Sequence, residues 1–158
     1  MRGYAGAGKS TWAKKKAEAT GAIICSSDSF FMKNGKYVFD FKKLATNHFK
    51  CYNKFVETLC VRKDVIVDNT NIKLSDIKLY LDMIKTVNEE CGETYKVRIV
   101  TVLHNSVETA IALRKDQADD KNVPEETIRN MYENLVNTGC DSLVKEYPKI
   151  VFEFETVE

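Results

Sequence analysis

The sequence predicts an α/β protein, a parallel sheet layered between helices, on three observations. Short apolar runs alternate with segments of helical periodicity. Those runs lack the polar alternation of a sheet with one wet face, so both faces are expected to be covered. A complete glycine-rich run opens the chain and leads straight into a helical pattern.

The elements follow in order. The glycine-rich run covers Gly3 to Ser10, and a helix is expected from about Lys9 to Thr20, stopped by Gly21. Ala22 to Cys25 reads as a buried strand. Phe30 to Phe39 is aromatic and irregular, with a turn at Asn34-Gly35. Asp40 is placed to cap a long helix whose face is Leu44, Ala45, Phe49, Tyr52, Phe55, Val56 and Leu59. Val65 to Val67 is a second buried strand, closed by Asp68-Asn69-Thr70-Asn71.

Ser75 is placed to cap the next helix, with Ile77, Tyr80, Leu81, Ile84 and Val87 on its face and Gly92 beyond it. Val97 to Leu103 is a third strand. Ser106 caps a helix that runs to Arg114, and a polar stretch follows from Lys115 to Asn122. Pro124 opens another helix, with Ile128, Met131, Tyr132, Leu135 and Val136 on one face and Gly139 at its end. Ile150 to Phe154 is the last strand.

The 158 residues suit one domain with a sizeable core, and one domain over residues 1–158 is expected. The formal net charge of +1 gives no global footprint for nucleic acid, leaving a local basic groove as the remaining route. Cys25, Cys51, Cys60, Cys91 and Cys140 show no CxxC spacing, so neither a zinc site nor a redox pair is signalled. An odd count of cysteines scattered over the expected strands and helices suits reduced thiols and a cytoplasmic location. No run is apolar and long enough to span a bilayer, and no signal-peptide run opens the chain.

Gly3-Tyr4-Ala5-Gly6-Ala7-Gly8-Lys9-Ser10 matches GxxxxGK[ST] in full, the pattern of a phosphate-binding P-loop. Glycines let backbone N–H groups turn inward around an anion, and the following helix adds its positive end. Gly3, Ala5, Gly6, Ala7 and Gly8 are the expected cradle of a nucleoside triphosphate, ATP in the first instance. Lys9 is placed to reach the β- and γ-phosphates, Ser10 to ligate Mg²⁺, and Thr11 to donate to the α-phosphate. In this fold a buried strand of about five apolar residues precedes the loop. Here Met1-Arg2 stands directly before Gly3, so the expected fold is a P-loop kinase sheet that lacks its usual first strand.

Three further positions are candidates. Asp28 lies at the carboxyl end of a strand, where open α/β sheets bind ligands. It suits a general base for an attacking hydroxyl, or equally a helix cap. Asp68 ends the next strand in the Walker B arrangement that holds a magnesium shell, with a cap on the next helix as the competing reading. Arg114 suits a flap that folds over phosphates, or a plain surface arginine; Lys115, Lys121 and Arg129 are weaker alternatives. His48 and His104 read as structural, and Lys14-Lys15-Lys16 as a solvated face. The aromatics Phe30, Phe31, Tyr37 and Phe39 read as core or lid, with base stacking as the rarer use.

The run Gly6 to Ala13, Ser27-Asp28, Val67-Asp68-Asn69-Thr70-Asn71, and Arg114 followed by Val123-Pro124 and Ile128 to Tyr132 resemble the 5′-hydroxyl polynucleotide kinases of phage and their cellular relatives. The matches fall in the same order along nearly the whole chain. That resemblance implies ATP with Mg²⁺ as cofactors and a DNA or RNA 5′ end as partner. It implies Asp28 as general base, Asp68 as the acidic residue closing its strand, and Arg114 as the first lid arginine. Two family positions differ: the arginine three residues after the base is Phe31 here, and the second lid arginine falls at Ala118. The leading expectation is therefore an ATP-dependent phosphotransferase to a hydroxyl acceptor. A small-molecule or nucleotide-sugar kinase similar to zeta-toxin kinases, and a non-catalytic NTP-binding module, stand as alternatives.

Overall fold

Parallel pairing builds the frame. In the computed structural model, residues 1–115, 121 and 123–158 are described. Strand β1 (Ile23–Cys25) follows helix α1 (Lys9–Thr20), which ends at Gly21 with a left-handed φ of 76°. A 3₁₀ turn (Ser27–Phe31) leads into a small hairpin, β2 (Met32–Lys33) and β3 (Lys36–Tyr37). Asn34 and Gly35 both take positive φ at its tip, 50° and 79°, the geometry that suits the twist of a two-residue hairpin. Helix α2 (Leu44–Cys60), β4 (Val65–Val67), α3 (Leu74–Glu90) and β5 (Val97–Val102) come next. Helices α4 (Val107–Lys115), α5 (Glu125–Asn137) and α6 (Asp141–Glu146) precede β6 (Phe152–Val157).

Strand β1 pairs parallel with β4, and β5 pairs parallel with β6. The first three residues join these halves. The Met1 nitrogen donates to Val67 O at 2.9 Å, and Arg2 N donates to Val100 O at 2.8 Å. Val102 N donates to Arg2 O at 2.9 Å, and Gly3 N donates to Thr70 O at 2.9 Å. The spatial order is β1, β4, residues 1–3, β5, β6. The stretch expected to lack its strand therefore keeps that strand's last rung, a bridge from Arg2 to Thr101.

Two apolar clusters close the fold. One gathers α2, α3 and α6 through Phe55, Leu59, Tyr80, Leu81 and Leu143. The other gathers Tyr4, Val102, Ile111, Ile128 and Leu135 around α4 and α5. Helix α2 keeps Tyr52, Phe55, Val56 and Leu59 of its expected face in or against the core and also buries Asn47, Cys51 and Thr58. Ala45 is exposed, and Phe49 is 62 % exposed. The apolar count along α2 is ambiguous because its buried stripe includes polar Asn47 and Thr58.

Other details also depart from the sequence pattern. Asp40 caps a 3₁₀ turn (Phe41–Lys43) by accepting from Lys42 N, and the α-helix begins only at Leu44. At the start of α3, Asp76 accepts from Lys73 N, while Ser75 lies within the first turn. Val136 of α5 is exposed, α6 fills what read as a connection, and β6 begins two residues later than expected. No helix among the described residues is long and apolar enough to cross a membrane.

The α2 stripe is directly testable by urea unfolding. Phe55→Ala should cost about 3–4 kcal/mol through lost burial and a residual cavity. Phe49→Ala should stay within about 0.5 kcal/mol of the parent. Equal losses would place the helix in the other rotation.

Candidate functional site

The carboxyl ends of β1, β4, β5 and the residue 1–3 rung point to one edge, and the predicted phosphate loop turns there. Gly6 and Gly8 hold φ of 85° and 90°, a region closed to most side chains. A Cβ at Gly3 would stand 2.7 Å from Val102 O, a backbone atom that cannot swing away. The glycine at position 3 is thus required by close contact with β5. Gly6 is covered by Arg114: a Cβ there would lie 2.6 Å from its Cδ. Arg114, on the last turn of α4, is 7 % exposed, so it packs onto the loop as part of the site wall.

Lys9 opens α1 and is also nearly buried, with its ammonium donating to Tyr4 O at 2.7 Å. Burial lowers its pKa to about 8, and the nearby carboxylates of Asp68 and Asp28 oppose the shift. These three groups therefore share one electrostatic neighbourhood. Ser10 and Thr11 present exposed hydroxyls on the first turn of α1. Asp68 is 7 % exposed, and its N–H donates to Cys25 O at 2.8 Å. No donor among the described residues reaches its carboxylate. A carboxylate and a hydroxyl are hard oxygen donors, the chemistry that suits Mg²⁺ better than a soft metal.

Asp28 sits in the 3₁₀ turn that follows β1. It accepts from Tyr37 Oη at 3.1 Å and forms an ion pair with Lys121. The Lys121 ammonium also lies over the Tyr37 ring, 4.8 Å from its centroid. The hairpin thus delivers Tyr37 to the candidate base. Phe31 is buried, with its ring 5.8 Å from Tyr37 and 5.2 Å from Phe39. Ala118 lies outside the described residues.

Several structural supports were not legible as such. Asn69 accepts from Ser27 N and Ser27 Oγ, each at 2.9 Å, and donates toward Cys51 Sγ and Tyr80 Oη. It locks the ends of β1 and β4 together and so fixes the spacing of Asp28 and Asp68. Arg2 is 2 % exposed and donates to Thr138 O, Cys140 Sγ and Ile72 O. Tyr4, inside the loop, bonds His104, whose backbone carbonyl accepts from Tyr132 Oη at 2.9 Å. The adjacency of Asn69 to Asp68 was the one available signal; the reach of Arg2 across the fold had none.

Residues 1–137 match the family described as AAA domain. A stretch of 83 residues, 51 % of this chain, is 35 % identical to NEDD4-binding protein 2 of Homo sapiens, and it spans 5 % of that protein's length. A gluconokinase from Sinorhizobium meliloti 1021 superposes with a TM-score of 0.57 at 18 % identity, covering 97 % of this chain and 79 % of that one. A deoxyadenosine kinase from M. mycoides with bound dATP gives 0.51 at 18 % identity, covering 99 % and 88 %. At such identities the likeness is one of fold, and the fold is that of P-loop kinases.

The lowered pKa of Lys9 has a pH signature. Below about 8 the free site carries the ammonium that a polyphosphate needs; above it that charge is lost. ATP affinity should fall about tenfold between pH 7 and 9, measured by calorimetry. Stability should move the other way in the window from about 8 to 10.5, because there the unfolded chain holds the extra proton. An affinity unchanged over that range would remove Lys9 from the phosphate contact.

Proposed function

The chain belongs to the AAA domain family, and from that membership and the site we propose that it is an ATP-dependent phosphotransferase acting on a hydroxyl acceptor, with the 5′-hydroxyl of DNA or RNA favoured. The observation that carries this is the convergence of Lys9, Asp68 and Asp28 on the edge where the glycine loop turns. A loop alone binds a nucleotide. A loop with one carboxylate beside the metal position and another at the acceptor side can also direct a displacement.

In this reading the loop amides of Gly3 to Gly8 and the Lys9 ammonium hold the β- and γ-phosphates, and Thr11 donates to the α-phosphate. Ser10 and Asp68 would hold Mg²⁺, which neutralises charge on the phosphoryl oxygens when bound. Asp28 takes the proton of the attacking hydroxyl as the new O–P bond forms and the bond to the β-phosphate oxygen breaks. Arg114, packed over Gly6, offsets negative charge on the transferring group. Most of the acceleration comes from positioning and fixed charge.

A second reading, a kinase for a small metabolite or nucleoside, draws on Phe31. Where polynucleotide kinases carry an arginine, this ring is buried against Tyr37 and Phe39, so that wall of the acceptor side is apolar. The names of the two structural neighbours are compatible with it: one is a gluconokinase and one a deoxyadenosine kinase.

The readings separate in a transfer assay with γ-labelled ATP. A 5′-hydroxyl oligonucleotide should be labelled, and Lys9→Ala should abolish the label while helix content is retained. Asp28→Asn should lower kcat by about 10²–10⁴ and leave ATP affinity within about twofold. Label on gluconate or a deoxynucleoside but none on the oligonucleotide would select the second reading. ATP binding without transfer to any acceptor would leave a nucleotide-binding module.

A further inference from the structure

Most of the aromatic segment that follows Asp28 has no task in the phosphate site, and it is open to solvent. Phe39 is 55 % exposed and Phe41 76 %, and Phe30, Met32, Val38 and Phe49 are exposed as well. Large apolar side chains gathered in one exposed region mark a surface that meets a ligand or a partner. The rings stand on fixed backbone. Val38 N donates to Phe31 O at 2.9 Å, which holds the chain beyond the hairpin against the 3₁₀ turn. Asp40 caps the turn that carries Phe41 by accepting from Lys42 N at 3.0 Å.

Lysines are interleaved with these rings. Lys33, Lys36, Lys42, Lys43 and Lys50 are exposed, and Asp40 is the one acidic residue between Ser29 and Val56. None of the five lysines pairs with a carboxylate among the described residues, whereas Lys78, Lys115 and Lys149 each hold a glutamate. The net charge of the chain is only +1, so this positive field is local. Lys33 and Lys36 stand directly opposite each other across the β2–β3 hairpin. Like charges in that position repel, and an anion shared between them removes the cost. The Lys50 ammonium lies over the Phe30 ring, 5.7 Å from its centroid, so α2 contributes to the same surface.

The surface runs on to the candidate base. The Phe39 ring is 5.2 Å from Phe31, the Phe31 ring is 5.8 Å from Tyr37, and Tyr37 Oη donates to Asp28 at 3.1 Å. A ligand spread over Phe39 and the hairpin lysines therefore ends beside that carboxylate. Its chemistry follows from the surface: flat π faces for the rings, fixed negative charges for the lysines, and a hydroxyl at the end that meets Asp28. A nucleic acid strand has all three, and only an unpaired strand offers its base faces, because a duplex keeps them within its stack.

We propose that the 3₁₀ turn after β1, the β2–β3 hairpin and the start of α2 form a binding surface for single-stranded nucleic acid, with bases stacked on Phe39 and Phe41 and backbone phosphates held by Lys33 and Lys36. Lys42, Lys43 and Lys50 add positive charge along the strand, and its 5′-hydroxyl end lies toward Asp28. The proposal rests on the hydroxyl-acceptor reading given under the proposed function and narrows the acceptor to an unpaired strand. Stacking and charge carry the affinity, so the surface is tolerant of base sequence and sensitive to salt.

The test measures fluorescence anisotropy of a 3′-labelled oligothymidylate of about 12 nucleotides on the full chain, without ATP. Phe39→Ala and Phe41→Ala should each weaken binding about 10-fold. Lys33→Gln with Lys36→Gln should weaken it too, and should reduce the slope of log affinity against log salt by about 1.4. Phe154→Ala and Lys85→Gln, on other faces, should leave it unchanged. On the unaltered chain, where no variant can misfold, an oligonucleotide carrying 5-iodouracil should cross-link to Phe39 or Phe41. Binding unchanged in all the surface variants, or cross-links only elsewhere, would overturn the proposal. Equal affinity for inorganic polyphosphate, with no effect of the phenylalanines, would do the same, since charge alone would then explain the contact. So would retention on phosphatidylserine vesicles with no oligonucleotide bound. The kinase reading fails separately: a chain that holds the strand through these residues and transfers no phosphate to it sinks that reading alone. A chain that labels 5′ ends with the same KM in every variant sinks the surface alone.

Discussion

The backbone of three residues joins two parallel strand pairs. Met1, Arg2 and Gly3 bond to Val67, Thr70, Val100 and Val102, and the phosphate loop begins at the last of them. The position of the loop relative to Asp28 and Asp68 is thus fixed from below by a handful of main-chain hydrogen bonds. Each contributes only about 0.5–1.5 kcal/mol net, so the surrounding buried side chains must hold the arrangement with them. Arg2 does so by reaching three acceptors around Ile72, Thr138 and Cys140. Asn71 does so by donating to Met1 O at 2.7 Å.

The polar residues between the strand ends divide into two kinds. Asn69, Asn71 and Arg2 spend their hydrogen-bonding capacity on the protein itself and set distances. Ser10 and Thr11 stay exposed at the edge, and the buried Asp68 carboxylate accepts from no donor among the described residues. Asp28 stands between the two kinds, engaged by Tyr37 and Lys121 yet at the surface of the site. This division follows the physics of buried polar groups: those that fix a fold are satisfied internally, and those that meet a ligand are held back from full pairing.

Much of this was legible in the sequence. The phosphate loop has strict residue requirements, and the structure puts positive φ at Gly6 and Gly8 within it. Strands β1 and β4 stood out because four apolar residues and three lie between polar turns, a pattern with few alternatives. Helix α2 was read correctly at Tyr52, Phe55, Val56 and Leu59 but not at Ala45 and Phe49, because its inward stripe also takes in polar Asn47 and Thr58, the latter bonding back to Lys54 O within the helix. The role of Arg2 was hidden because its partners lie some 70 to 140 positions away, and no local pattern reports such contacts. Tyr37 read as lid or core; a two-residue turn at Asn34-Gly35 brings it onto Asp28, which requires knowing where the hairpin folds back.

The pairing of Arg2 with Thr101 also bears on how the chain acquires its shape. Closing so long a loop has a large entropic cost, and ladders between distant segments form late. During synthesis the glycine-rich segment leaves the ribosome about a hundred residues before its anchoring partners Val100 and Val102. The loop is thus made well before it can be seated, and its position at the sheet edge is set only once β5 has emerged.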